Sequence, residues 1–286
     1  MTNDRYRDGF FTVRDGLRLH YRDYPGAADR PPVLCLPGLT RNARDFEHLG
    51  ERLSPHFRVL ALEFRGRAQS DYDPQPGRYN PLTYAGDAIE LLNQLMIARA
   101  IFVGTSLGGL VTMTVAGMAP QRIVASILND IGPEPHVAGL DRIRSYVGKN
   151  VRFADWDEAA RALAANNSNI PESRSHEDWV RMARRTCRED NGGVVFDYDF
   201  AIAHPFTTGN PGVKFDMWPL FYALAQHPLL VVRGEKSDLL TAEDTERMQS
   251  AVPSIKLVTV PGVGHAPELD EPAAVAAIDE FLETVA

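Results

Sequence analysis

Short apolar, partly β-branched runs recur at Val33 to Leu36, Val59 to Phe64, Ile101 to Val103 and Val124 to Leu128, and this rhythm limits the possible folds most. Between them, Phe46 to Leu53, Tyr84 to Leu95 and Leu107 to Met118 carry apolar residues at helical spacing. Strands too uniformly apolar to have a wet face, alternating with helices, imply parallel strands covered on both sides. The expected class is α/β, a mostly parallel open sheet with helices on both faces. An antiparallel hairpin, Phe10 to Arg14 and Leu17 to Tyr24 turned at Asp15-Gly16, precedes it.

The rhythm stops after Asp130-Ile131-Gly132-Pro133. Residues 139 to 213 carry helix-like segments at Leu140 to Lys149, Trp156 to Asn166 and Glu177 to Arg188, with no comparable strand run. Strand and helix patterns then resume at Leu229 to Arg233, Ala242 to Ser250, Lys256 to Val260 and Pro272 to Val285. The implied organisation is a core of residues 1–132 and 214–286 with a helical lid inserted at 133–213. At 286 residues and 44% hydrophobic composition, one domain with an insertion is expected rather than two independent domains.

A net charge of -8 supplies no basic footprint, so neither nucleic acid nor an acidic membrane surface is an expected partner. The two cysteines, Cys35 and Cys187, imply neither a disulfide framework nor a Cys-rich metal site, and a reducing compartment fits them. The charged start MTNDRYRDGFF does not read as a secretory signal, and no run approaches the ~18 to 20 apolar residues of a membrane span, so the cytoplasm is the expected location.

Gly104-Thr105-Ser106-Leu107-Gly108 matches G-x-S-x-G at the junction of a strand run and a helical run. A serine lifted on a sharp strand-to-helix turn needs small neighbours two positions either side, and the helix N-terminus then offers the Leu107 amide to developing negative charge. A glycine-rich turn without chemistry has the same pattern, and the context favours the nucleophile. A serine hydroxyl needs a base within reach. Among eight histidines, His265 lies in the Gly-rich loop Pro261 to Pro267 directly after the last strand, at the carboxyl edge of a parallel sheet. The base needs an orienting carboxylate. Asp238, after the strand Leu229 to Arg233, is the first candidate; Asp130, closing the strand Val124 to Leu128, and Glu235 are rivals. Leu36-Pro37-Gly38-Leu39 follows the first internal strand, and the Leu39 amide would complete a two-donor oxyanion hole with that of Leu107.

With serine, acid and histidine in that order, the chain resembles the α/β-hydrolase fold superfamily over essentially its whole length outside the lid, and most closely its single-domain bacterial serine hydrolases with a helical cap. The matching pieces are Leu36 to Leu39, Phe64-Arg-Gly-Arg-Ala-Gln-Ser70-Asp71, Gly104 to Gly109, Ser237-Asp238 and Gly264-His265-Ala-Pro. The resemblance implies acyl transfer without cofactor or metal. Ser106 departs from the nucleophilic aspartate of epoxide hydrolases and haloalkane dehalogenases, and Ala266 from the tryptophan common in C–C hydrolases of ring-fission products. Ala68 replaces the second glycine of R-G-x-G-x-S, and Glu63 stands where aspartate is frequent.

The expected activity is cleavage of a small carboxylic ester or lactone. A C–C hydrolase with the same triad, or a ligand receptor of this fold, is the alternative. Arg181, Arg184, Arg185 and Arg188 form one stripe at helical spacing, either a solvated face or, with Arg41, a partner for a substrate carboxylate. Trp156, Trp179, Trp218, Phe196, Tyr198, Phe200, Phe206, Phe215, Phe221 and Tyr222 either form lid core or line an apolar pocket.

Overall fold

The computed structural model describes residues 5–167, 174–208 and 216–285. Strands β1 (Arg7–Thr12) and β2 (Arg18–Tyr24) form the hairpin. The core continues through β3 (Val33–Leu36), α1 (Glu47–Leu53), β4 (Val59–Leu62), α2 (Pro81–Gln94), β5 (Ala100–Thr105), α3 (Leu107–Met118) and β6 (Ile123–Asn129). A second stretch carries α4 (Val137–Tyr146), β7 (Arg152–Phe153), α5 (Trp156–Asn166), α6 (His176–Thr186), β8 (Cys187–Asp190), β9 (Gly193–Phe196) and α7 (His204–Thr208). The chain then returns through α8 (Trp218–Leu224), β10 (Leu229–Gly234), α9 (Ala242–Ala251), β11 (Lys256–Val260) and α10 (Pro272–Val285).

One eight-stranded sheet runs β1-β2-β4-β3-β5-β6-β10-β11, with β1 and β2 antiparallel at one edge and the other six strands parallel. Side-chain alternation divides its strands between two cores. Leu34, Leu36, Leu60, Leu62, Phe102, Leu128, Leu229 and Val231 meet α2, α3 and α8 on one face. Val33, Cys35, Val59, Ala61, Ile101, Val103, Ile127, Leu230 and Val232 meet α1 and α10 on the other. Burial on both faces explains why these strands read as continuous apolar runs. Among the described residues no helix is long and apolar enough to cross a membrane.

The topology locates the functional edge. Strand β4 lies on one side of β3 and β5 on the other, so the connections after β3 and β5 diverge and leave a crevice at their carboxyl ends. The segment between β6 and α8 lies beyond this edge. It is mainly helical, with its own small core of Phe153, Leu163, Trp179, Met182, Cys187 and Val194. It also contains a three-stranded antiparallel sheet, β7-β9-β8, that the apolar-run pattern does not reveal. These strands have two to four residues, and half-exposed pairs such as Arg188 with Val195 do not form an apolar run. The helix expected at Glu177 to Arg188 accordingly ends at Thr186, where the chain turns into β8. The expected lid boundary at 213/214 lies outside the described residues.

Candidate active site

Ser106 stands between β5 and α3 with φ 52° and ψ -113°, a conformation that L-residues seldom adopt. The bend is so tight that a Cβ on Gly104 would lie 2.5 Å from the carbonyl of Gly108, and one on Gly108 would lie 2.0 Å from the Leu36 carbonyl oxygen. Glycine at these positions is therefore a steric requirement of the turn. The Ser106 amide donates to the Asn129 carbonyl at 2.9 Å, and the Ser106 carbonyl accepts from Gly109, which holds the bend from both sides.

The hydroxyl of Ser106 lies 2.9 Å from His265 Nε2, and His265 Nδ1 lies 2.7 Å from Asp130 Oδ2. A carboxylate only accepts, so Nδ1 carries the imidazole proton and Nε2 is free to accept from Ser106. Asp130 is fully buried. Its Oδ2 also accepts from the Ser237 hydroxyl at 2.6 Å, and its Oδ1 from the Gly234 amide at 2.7 Å. Three donors, two from the end of β10 and the turn after it and one from the loop after β11, thus converge on one carboxylate and fix its orientation.

This corrects the expectation for Asp238. Its carboxylate is turned to α4, where it receives Nε and Nη2 of Arg142 at 2.5 and 2.8 Å. Burial works to raise the Asp238 pKa, but the hydrogen bonds and charge of Arg142, with His265 nearby, hold it below the ordinary carboxylate value. Ser237, the residue before it, faces Asp130 instead, and its hydroxyl donates to that carboxylate. Glu235 is engaged elsewhere, accepting from the Gly262 amide at 2.7 Å.

The Leu39 loop faces the serine across the crevice. A Cβ on Gly38 would stand 3.9 Å from Ser106 Cβ. The Leu107 amide, at the first position of α3, belongs to the donors that a helix cannot satisfy internally. Neither it nor the Leu39 amide donates to another described residue outside regular elements. The sequence alone does not single out Arg67 or Asn129. Buried Arg67 donates Nε to the Leu39 carbonyl at 3.0 Å and Nη1 to the Tyr84 hydroxyl at 2.9 Å, so it ties the Leu39 loop to α2. Asn129 Nδ2 donates to the Pro267 carbonyl at 2.8 Å and the Thr105 hydroxyl at 3.1 Å, tying the histidine loop to β5.

A cavity of about 150 Å³ opens over Ser106 and His265. Arg41 and Arg185 line it, but Arg181 does not: it is exposed, paired with Asp178, and faces an outer groove. The arginine stripe diverges because α6 ends at Thr186, so Arg185 meets the cavity at the helix end, Arg181 and Arg184 stay on its outer side and Arg188 falls in β8. Arg185 pairs with Glu268 at 2.7 Å, Arg184 lies over the Trp156 ring, and Arg188 reaches Asp190 and Asp197. Of the aromatic residues, Phe196 and Tyr198 line the cavity, Trp156 and Trp179 belong to the small core of the segment between β6 and α8, and Trp218, Phe221 and Tyr222 pack together on α8. Phe215 lies outside the described residues.

The sequence model of the alpha/beta hydrolase family matches residues 33–278. The chain belongs to this family. A 3-hydroxybutyrate-oligomer hydrolase of Cupriavidus necator is 30% identical over 272 residues, 92% of each chain. A 2-(acetamidomethylene)succinate hydrolase of Mesorhizobium japonicum is 30% identical over 236 residues, 82% of this chain and 81% of that one. The crystal structure of an alpha/beta hydrolase from Novosphingobium aromaticivorans superposes with a TM-score of 0.92 at 50% identity, covering 98% of this chain and 99% of that one. Matches of this coverage include the segment between β6 and α8 as well as the sheet.

Proposed function

We propose that this hydrolase cleaves small carboxylic esters or lactones through an acyl-enzyme, with Ser106 as nucleophile, His265 as general base and acid, and Asp130 as the carboxylate that orients it. The observation that carries the reading is the unbroken relay from Asp130 Oδ2 through His265 to Ser106 Oγ, at 2.7 and 2.9 Å, beneath a cavity. Ser106 Oγ attacks the carbonyl carbon as Nε2 of His265 takes the hydroxyl proton. The amides of Leu39 and Leu107 receive the oxyanion, an arrangement typically worth about 3 kcal/mol per donor. His265 then protonates the leaving alcohol, and water, activated by the same imidazole, releases the acid. Support for an ester substrate also comes from the Cupriavidus relative, whose name denotes hydrolysis of 3-hydroxybutyrate oligomers.

The test combines labelling by a fluorophosphonate with hydrolysis of 4-nitrophenyl acetate. The wild type is expected to label at Ser106 and turn over, and Ser106→Ala to lose both, with kcat falling about 10³-fold or more. Labelling that persists in Ser106→Ala contradicts the assignment.

A further inference from the structure

We propose that Arg41, Tyr146 and Arg142 form a carboxylate-binding wall of the catalytic cavity, so that the preferred ester carries a free carboxylate within a few bonds of the scissile carbonyl. This rests on the serine-hydrolase reading above and names the substrate class it serves.

All three side chains line the cavity that holds Ser106 and His265. Arg41 is close to the nucleophile, because its Cγ lies 3.3 Å and Ser106 Cβ 3.9 Å from the point where a Gly38 Cβ would stand. Each guanidinium is braced along one edge only. Asp45 takes Nε and Nη2 of Arg41 at 2.6 and 2.7 Å, and Asp238 takes the same two nitrogens of Arg142. Nη1 of each lies outside its pair. A guanidinium held in this way is preorganised, so a ligand carboxylate would gain its hydrogen bonds at reduced cost in side-chain entropy. The Tyr146 hydroxyl neighbours Arg142 and feels the positive charge of Arg41 as well. Burial pushes the phenol pKa up, which keeps it a neutral donor.

The charge balance agrees. Arg41 is matched by Asp45 and Arg142 by Asp238, whereas Glu268 serves both Arg174 and Arg185. Among the described residues, the two acids that line the cavity, Asp45 and Glu268, are thus each already paired with an arginine of the same wall. An anionic substrate would meet the Nη1 edges of Arg41 and Arg142 without an unpaired lining carboxylate opposing it, and a neutral one would leave those donors partly desolvated. The Arg142 pair also joins α4 to the loop after β10, so a purely structural latch is the competing role.

Two matched ester pairs separate these roles. On the alcohol side, 3-acetoxybutyrate is compared with sec-butyl acetate; on the acyl side, monoethyl succinate with ethyl butyrate. The wild type is expected to favour the anionic member of at least one pair by tenfold or more in kcat/KM, mainly through KM. Arg41→Gln and Arg142→Gln should each lose at least tenfold more on the anionic member than on its neutral partner, and Tyr146→Phe a smaller differential. Arg142→Gln combined with Asp238→Asn avoids leaving a lone carboxylate, and should show the same differential if the single variant folds poorly. Equal losses on both members, or no anionic preference in a wild type that labels at Ser106, overturn the carboxylate wall alone. A chain that neither labels nor hydrolyses any of the four esters overturns both readings.

Discussion

Asp130→Asn is the sharpest test of how the site works, because the structure fixes what an amide would do there. In the wild type every hydrogen bond to the carboxylate is received: His265 Nδ1 and the Ser237 hydroxyl at Oδ2, the Gly234 amide at Oδ1. An asparagine can be placed in two ways. With its NH₂ toward His265, Nδ1 must accept, the imidazole proton moves to Nε2, and the base can no longer take the Ser106 proton. With its oxygen toward His265, the NH₂ opposes the Gly234 amide, two donors face each other in a buried site, and about 1–3 kcal/mol of stability is lost. Wrong-tautomer loss in a serine triad is of order 10⁴ in kcat. A fall of about 10³ to 10⁴ in kcat on 4-nitrophenyl acetate is therefore expected, or roughly 4 to 5.5 kcal/mol at 1.36 kcal/mol per decade. Asp238→Asn, which disturbs Arg142 and leaves the relay intact, should cost less than about tenfold in kcat by the same conversion. Circular dichroism and thermal melting of both variants exclude unfolding as the cause. If Asp238→Asn fell as far as Asp130→Asn, or if Asp130→Asn retained more than a tenth of wild-type kcat, the reasoning would be refuted.

Gly108→Ala places a Cβ 2.0 Å from the Leu36 carbonyl oxygen, backbone against backbone, so overpacking of roughly 2–3 kcal/mol is expected, and Tm in a melting scan should fall by about 4–12 °C. For Asp238, the folded pKa is held below its ordinary 3.8, so its contribution is present above that value and disappears as pH falls through the folded pKa. Denaturant titration should therefore show a constant gap between wild type and Asp238→Asn from pH 8 to 5, of about 1.5–3 kcal/mol for a hydrogen bond to a charged group, closing below about pH 4; a gap that widens in acid contradicts it.

What was readable in the sequence is what local chemistry dictates. The buried strands of the sheet announce themselves because both faces are dry, and the α3 turn because its steric conditions fall on Gly104 and Gly108, two residues from Ser106. His265 was readable for a related reason: its loop directly follows β11, and parallel strands present their carboxyl ends together. The small β7-β9-β8 sheet was not, since its strands have two to four residues and the outer two are largely exposed, too short and mixed for a periodicity to show.

The choice of acid shows where local reading ends. Asp130 and Asp238 both follow a core strand, and β6 and β10 are neighbours in the sheet, so either strand end can present a carboxylate toward the histidine loop. Two contacts remote in sequence separate them: Arg142, 96 residues before Asp238, draws that carboxylate toward the lid, and Ser237, 107 residues after Asp130, donates to the other. Asp130 also has φ 55°, a left-handed conformation that short polar side chains tolerate better than most and that accompanies the turn of its carboxylate beneath His265. The Asp130 amide is bonded to the Val232 carbonyl, which anchors its backbone to β10 while the carboxylate turns to His265. Moving the acid to β6 has a consequence at the lid. Asp238, turned away from the histidine, braces Arg142 of α4, and a carboxylate after β10 thereby holds a cation at the cavity wall. The relay from Asp130 and the Asp238–Arg142 pair thus follow from one arrangement of the ends of β6 and β10, and the unequal losses expected of Asp130→Asn and Asp238→Asn test it.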